Sequence, residues 1–340
     1  MNIHFYDDSG GTYTNHIDAI KSKKHCKLYY EDAFYDIVNW NTEPSLSLKH
    51  LYKLRAEEIR DKYEYVILFL SGGVDSRNVF ESFYSNNIHI DEIVCVGAFS
   101  QDNHRGTTEN NNDEIFVNAN TLLDSVHLTN TKITFIDYSK LFIKPYEFDI
   151  IKKFGDNWAY HLSYFKSFHL FFWYELQKHL QIDNNINTCY VMGVAKTIVN
   201  VIDDSAFVHF SERDVTDFSA CYSMNNLTRE NFYFAPTQIG ADIVKKQAYT
   251  MIDVYKRSVN KKEFFSKYFD IYNEIMYDLK FPLIAKTRKS QFCFFSHRDT
   301  FMQRHTNSEI YQIWYYGLQK LSADIGLNYI PHFSKKYFIV

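Results

Sequence analysis

Cysteine, glycine and proline are all scarce in this chain of 340 residues, which contains 5, 11 and 5 of them. The cysteines (Cys26, Cys95, Cys189, Cys221 and Cys293) are scattered and form no Cys-x-x-Cys pair. That argues against a zinc ribbon and against a disulfide framework, and makes a reducing compartment the expectation. No apolar run approaches membrane-spanning length, and the opening Met1-Asn2-Ile3-His4 lacks the basic and apolar regions of a signal peptide. A strong charge of one sign is also missing, because the net charge is −4, so whole-protein electrostatics do not advertise nucleic-acid binding. The expectation is a soluble cytoplasmic protein, of a cell or of a virus-infected host cell, with no membrane partner.

What the chain has in quantity is aromatic residues, with 27 tyrosines and 30 phenylalanines beside many Asn, Lys and Ile. The bias fits large cores or exposed stacking surfaces, and equally an AT-rich genome, viral or bacterial. The length allows a substantial core, as one large domain or as one domain with a helical extension.

The most informative stretch is 66–76, Val-Ile-Leu-Phe-Leu-Ser-Gly-Gly-Val-Asp-Ser. Its apolar run, 66–70, has the length and character of a strand buried on both faces in a parallel sheet. Gly72 and Gly73 follow at once, allowing backbone angles denied to other residues and close approach of a charged ligand to the main chain. Ser71, Asp75 and Ser76 then place hydroxyls and a carboxylate where a helix over about 76–86 is predicted to begin. Strand, glycine turn and helix N-terminus aim backbone N–H groups at one point, which suits a phosphate. The stretch contains neither Gly-x-x-x-x-Gly-Lys-Ser/Thr nor Gly-x-Gly-x-x-Gly.

Ser71-Gly72-Gly73-Val74-Asp75-Ser76 instead resembles the PP-loop of the ATP pyrophosphatases, in the branch that contains asparagine synthetase, GMP synthetase, NAD synthetase and the tRNA thiolases. The resemblance implies ATP and Mg2+ as cofactors. The loop Ser71, Gly72, Gly73, Val74, Asp75 and Ser76 would hold the pyrophosphate of ATP, with Asp75 both catalytic and the metal ligand. It also implies base contact at the end of the next strand, by Val96, Gly97 and Ala98. The bland alternative is a capped βα turn that happens to read Ser-Gly-Gly.

The rest of the chain supplies the frame. A strand is expected near 27–30, a turn at 7–11, and a helix from Pro44-Ser45 to about Asp61 capped by Ser45 or Ser47. Further strands are expected at 91–97, 132–136 and 188–192, with a helix over about 113–123. This alternation predicts an α/β fold with a doubly wound, mostly parallel sheet. An apolar helix is expected over 158–180; the stretch 232–255 begins with an aromatic-proline turn, Tyr233-Phe234-Ala235-Pro236, and becomes a helix, and with further helices over 261–279 and 307–324 it would make the C-terminal region mainly helical. The organisation expected is an N-terminal segment 1–60, a nucleotide-binding domain 61–230 and a substrate-side region 231–340.

Where asparagine synthetase continues after the fourth strand as Gly-Asp-Gly-x-Asp-Glu, this chain reads Met192-Gly193-Val194-Ala195-Lys196-Thr197. Gly193 is kept as a cofactor-binding candidate, and Lys196 offers a positive charge where the family has negative ones. Asp203 and Asp204 read either as metal ligands or as a solvated turn. Lys286, Arg288 and Lys289 belong to a basic stretch, 281–305, interleaved with phenylalanines. They either close over triphosphate, with Lys286 and Lys289 catalytic, or form a solvated or RNA-binding face.

The resemblance implies an AMP-forming ligase: it adenylates an oxygen of an unidentified acceptor, expected to be a carboxylate, and ammonia or an amine then displaces AMP. Residue 2 is Asn, not the nucleophilic Cys of the family's glutaminase, so nitrogen would come from free ammonia, a substrate amine or a separate subunit. Two alternatives stand beside it. One is a thiolase-like enzyme acting on RNA or a nucleotide base; the other is a module that binds ATP or AMP without turnover.

Overall fold

The computed structural model describes residues 4–13, 18–19, 22, 24–97, 114–137, 185–193, 199–202, 205–211, 227–281, 319, 323 and 333–339. In chain order the elements begin with strands β1 (His4–Asp7), β2 (Thr12–Tyr13) and β3 (Cys26–Tyr29), followed by a single turn, α1 (Asp32–Tyr35), and the long helix α2 (Leu48–Lys62). Then come β4 (Tyr65–Phe69), α3 (Val74–Tyr84), β5 (Glu92–Gly97), a π-helical stretch (Glu114–Ala119) that runs into α4 (Asn120–Ser125), β6 (Lys132–Asp137) and β7 (Thr188–Met192). The described chain closes with β8 (Val199–Ile202), β9 (Ser205–Val208), β10 (Leu227–Asn231), α5 (Gln238–Arg257), α6 (Lys261–Ser266), α7 (Tyr268–Met276) and β11 (Tyr337–Ile339).

The centre is a five-stranded sheet in the order β10-β7-β4-β5-β6, parallel at every pairing. Val66, Ile67 and Leu68 of β4 are wholly buried, as a strand covered on both faces requires. From β4 the order steps through β5 to β6; β7 then returns to the other flank of β4, and β10 lies beyond it. Strands β4 and β7 are therefore neighbours whose onward connections lead in opposite directions. Such a reversal opens a crevice at the carboxyl ends of the two strands, and open α/β sheets bind ligands there.

Helix α2 starts at Leu48, later than the expected opening at Pro44-Ser45, and Ser47 is the one of the two candidate caps that serves it. The Ser47 hydroxyl accepts the His50 N–H at 3.3 Å, which satisfies one of the donors left over in a first helical turn. Its buried positions are Leu51, Tyr52, Arg55, Ala56 and Ile59, the spacing of one helical face; that side carries it against α3 and α5. The helix expected over 261–279 is broken at Lys267, whose angles (φ −108°, ψ 13°) separate α6 from α7. The predicted helices over 158–180 and 307–324 lie outside the described residues, except Gln319 and Ala323.

Two small antiparallel sheets, β2-β1-β3 and β11-β9-β8, complete the described structure. They are joined through Phe333, which accepts the Leu28 N–H at 2.9 Å and forms a bridge with Ser211. Between them and the main sheet lies an aromatic cluster in which Tyr35 and Tyr337 contact Phe210, and Tyr30 contacts Phe210 and Phe234. Its buried hydroxyls find acceptors, since Tyr30 and Tyr35 both donate to the Phe234 carbonyl, at 2.9 and 3.0 Å. Buried tyrosine needs such partners.

Helix α2 is fastened to β10 by a buried ionic network. The Arg55 guanidinium, 1% exposed, donates to Glu230 at 2.5 Å, to Glu58 at 2.6 Å and to the Asn231 carbonyl at 3.1 Å. Glu230 also accepts from Lys62 at 2.8 Å and from the Tyr63 hydroxyl at 2.5 Å. Burial pushes the Glu230 carboxyl up, but Arg55, Lys62 and Tyr63 outweigh it and hold it below its ordinary value. Its folded pKa is thus lower than its unfolded one, so its contribution to stability is complete above about pH 5 and is lost as the pH falls through the folded value. Glu230→Gln should flatten the acid limb of the stability profile measured by urea denaturation, and Arg55→Ala should cost about 3–5 kcal/mol at neutral pH because it removes the buried partner of Glu230 Oε2 and leaves the Asn231 and Phe232 carbonyls without their donor. A profile unchanged by Glu230→Gln would mean the network does not govern acid stability.

Candidate functional site

The loop 71–73 leaves the carboxyl end of β4 and enters α3 at the mouth of the crevice between β4 and β7. Gly72 has φ +86°, a left-handed conformation that a side chain resists. Gly73 is the N-cap of α3 and offers no side-chain cap, so the first turn of the helix presents main-chain N–H groups that have no carbonyl one turn behind them. The helix starts at Val74, two residues before the sequence expectation, because Gly73 already accepts the Arg77 N–H at 3.0 Å.

The serines brace the loop from within. Their hydroxyls, on Ser71 and Ser76, lie 3.0 Å apart; the Gly73 N–H donates to Ser71 Oγ at 3.3 Å and Ser76 Oγ donates to the Gly73 carbonyl at 3.2 Å. Ser71 is exposed, Gly73, Val74 and Asp75 are half-buried, and Ser76 is buried. The result is a short arch with a helix N-terminus behind it, open on the side of Ser71.

Gly193, at the end of β7, packs against this arch. A Cβ built there would lie 2.9 Å from the Asp75 carbonyl oxygen and 2.8 Å from Val79 Cγ2, so glycine is required by close approach of strand and helix. Val96 and Gly97 end β5, which runs parallel beside β4 and so brings them to the same edge of the sheet as the loop. Ala98, Lys196, Asp203, Asp204, Lys286, Arg288 and Lys289 lie outside the described residues.

Asp75 is held at its main chain and at its side chain by two tyrosines whose part in the site has no signature in sequence spacing. The Tyr233 hydroxyl donates to the Asp75 carbonyl at 2.8 Å, and the Tyr277 hydroxyl donates to Asp75 Oδ1 at 2.6 Å. Burial pushes both phenols well above their ordinary pKa, reinforced by neighbouring tyrosines and by the Asp75 charge. Both therefore stay protonated and act as donors throughout the physiological range. Asn78 Nδ2 in turn donates to the Tyr233 hydroxyl at 3.0 Å. The ring of Tyr233 lies 5.9 Å from that of Tyr277 and 5.8 Å from that of Tyr52.

The residues after α7 are clamped along α3. The Arg77 guanidinium, 1% exposed, donates to the Phe281 carbonyl at 2.5 Å and the Asn118 carbonyl at 2.8 Å. Glu81 accepts the Lys280 and Phe281 N–H groups at 2.6 and 3.1 Å; burial raises its pKa, and those two N–H groups pull the other way. A groove of about 600 Å³, lined by Tyr52, Asn78, Ser82, Asn86, Met276 and Lys280 among others, runs beside α3 toward its C-terminal end. It is a place distinct from the arch, which sits at the N-terminal end of the same helix.

No cluster of three or more His, Cys, Asp or Glu side chains able to hold a metal occurs among the described residues. Cys95 and Cys189 are wholly buried in the sheet, where burial pushes the Cys95 thiol up to about 12 and raises that of Cys189 as well. Thiols so placed are inert small hydrophobes. No family model matches the chain, and no curated protein matches it. The functional reading accordingly rests on the loop and its surroundings.

The fit at Gly193 has a direct consequence. Gly193→Ala should push the end of β7 away from the first turn of α3 and lower stability by about 1–3 kcal/mol, the usual cost of overpacking a tight contact, as read from the urea midpoint at constant m-value. A midpoint equal to the parent's would mean that the strand and the helix are not in contact.

Proposed function

We propose that the chain is an ATP-dependent, AMP-forming enzyme of the ligase type, with a doubly wound sheet of the PP-loop kind and a C-terminal region that is mainly helical and faces the acceptor. The observation that carries the reading is the seating of Ser71-Gly72-Gly73-Val74-Asp75-Ser76. A glycine turn and an uncapped helix N-terminus stand together at the crevice where the strand order reverses, which is where the loop of a pyrophosphate-holding enzyme should be.

The residues present fit a triphosphate. Gly72 and Gly73 keep side chains out of the arch, and the N–H groups of the first turn of α3 supply fixed donors at the positive end of the helix dipole. Ser71 and Ser76 add hydroxyls that can turn from each other toward phosphate oxygens. No Walker lysine favours transfer of the terminal phosphoryl group. When ATP is bound, an acceptor oxygen attacks the α-phosphorus and the bond from that phosphorus to the bridging oxygen breaks, its electron pair leaving with pyrophosphate. The chain's own part is to hold the β- and γ-phosphates as one leaving unit and to keep Asp75 in place beside them.

Asp75 would be the protein carboxylate for a magnesium ion, which would neutralise phosphate charge; magnesium needs no all-protein cage, and the described residues offer none. Lys196, Lys286 and Lys289 remain the proposed cationic partners of the phosphates. An acceptor carboxylate and an ammonia or amine donor are the proposed co-substrates. The buried state of Cys95 and Cys189 weighs against a thiolase that would use either as a sulfur carrier.

Incubated with labelled Mg-ATP and pools of amino acids, nucleotides and RNA, the protein should release AMP and pyrophosphate. Gly73→Val should slow that release about a hundredfold or more, because preorganised oxyanion donors are each worth about 3 kcal/mol. Gly73 has φ −70° and ψ 165°, angles that valine tolerates, so the substitution fills the arch without straining the backbone. ADP as the main product, or a Gly73→Val protein as active as the parent, would refute the assignment, and binding without AMP release would favour a nucleotide-sensing module.

A further inference from the structure

We propose that Tyr277 is a positioning residue for the Asp75 carboxylate, setting its orientation for the magnesium that accompanies ATP; the inference rests on the function proposed above. A carboxylate in the first turn of a helix is ordinarily free to sample several rotamers, and a metal ligand that must first be ordered binds its ion more weakly. Here one carboxylate oxygen, Oδ1, is fixed by the Tyr277 hydroxyl at 2.6 Å, a charge-assisted bond of the short, strong kind.

The donor is itself immobilised. Tyr277 is 5% exposed, and its ring is packed between those of Tyr233 and Tyr272, each at 5.9 Å. The chain just after it is tied to α3 by the Arg77 bond to the Phe281 carbonyl and by the two N–H bonds to Glu81. Asp75, Arg77 and Glu81 thus fasten the end of α7 to the same helix whose first turn forms the arch. The Asp75 main chain is fixed separately, by Tyr233 at its carbonyl and by the closeness of Gly193. Backbone and carboxylate are held by different partners, so the hydroxyl of Tyr277 has a role that backbone placement does not already perform.

A merely structural tyrosine would stabilise the fold and leave the magnesium requirement alone, and a double-mutant cycle separates the two. Binding of a non-hydrolysable α,β-methylene ATP would be followed by calorimetry across a magnesium chloride series, for the parent, Tyr277→Phe, Asp75→Asn and the double variant. The phenylalanine keeps the ring and removes the hydroxyl. The magnesium concentration for half-maximal binding should rise about tenfold in Tyr277→Phe, the scale of a lost hydrogen bond to a charged group. Adding Tyr277→Phe to Asp75→Asn should change it little, because the two act as a unit. Asp75→Glu, which retains the charge but moves it one methylene from the hydroxyl, should show a similar rise, and it supplies the test if Tyr277→Phe does not fold. If the parent binds and a folded Tyr277→Phe leaves the magnesium dependence unchanged, or Asp75→Glu does so where Tyr277→Phe does not fold, or if the two effects of the cycle simply add, the inference is overturned while the ATP reading stands. Failure of the parent to bind the analogue at any magnesium concentration overturns both.

Discussion

The contact on which the described architecture turns is the one between the first helical turn of α3 and its surroundings at Asp75. The Asp75 carbonyl receives the Tyr233 hydroxyl and lies so close to Gly193 that no side chain fits between them. The strand that ends in Gly193 comes from the opposite branch of the sheet from the one that α3 leads into. The contact therefore seats the end of β7 against the first turn of α3 beside the crevice between the two branches, and it limits the direction in which the helix N-terminus points. With Gly72 in the left-handed region, the arch has nowhere to go but across the mouth of that crevice.

The surrounding polar groups protect this placement. In a buried setting, each unpaired donor or acceptor costs about 1–3 kcal/mol, and the described residues bury Tyr30, Tyr35, Tyr233, Arg55 and Glu230 together. Tyr30 and Tyr35 of the aromatic cluster donate their hydroxyls to main-chain carbonyls of the segment just before α5, Phe234 and Ala235, while Tyr337 donates to the Asp32 carboxylate. Arg55 does the same with Asn231 and Phe232, besides pairing with Glu230. The segment 230–235 is thus held by side chains from α1, α2 and the residues just after β3, and from it Tyr233 reaches Asp75. Part of the aromatic richness of the sequence therefore has a structural cause: these rings fill the core and their hydroxyls fasten irregular main chain.

Much of the frame was legible in the sequence because it is encoded locally. The apolar run at 66–70, the paired glycines and the serine before α2 each act over a few residues, and the strands near 92, 132 and 188 announce themselves as short apolar runs. Long-range relations were not legible. Nothing local says that β7 lies beside β4, and the side chains that hold Asp75 come from 158 and 202 residues away. Tyr233 stood in a visible aromatic-proline turn, but a hydroxyl donor to a distant carbonyl leaves no spacing signature. Strands such as β2 and β11, of 2 and 3 residues, are too short for alternation to register, and the π-helical stretch before α4 looks like ordinary helix by composition. Arg77 was missed for a different reason: as a charged residue on a predicted helix it reads as solvated, whereas its guanidinium is buried on the carbonyls of Phe281 and Asn118.

The central claim is that the arch at 71–76 receives the β- and γ-phosphates, and amide chemical shifts report on it most directly. In deuterated, 15N-labelled protein with magnesium present, pyrophosphate and ATP should each move the amide resonances of Gly72, Gly73 and Ser76, whereas AMP, which lacks those phosphates, should move them far less. Shifts produced equally by AMP, or confined to the groove residues Ser82, Ser85 and Asn86 while the glycine amides stay in place, would contradict the account.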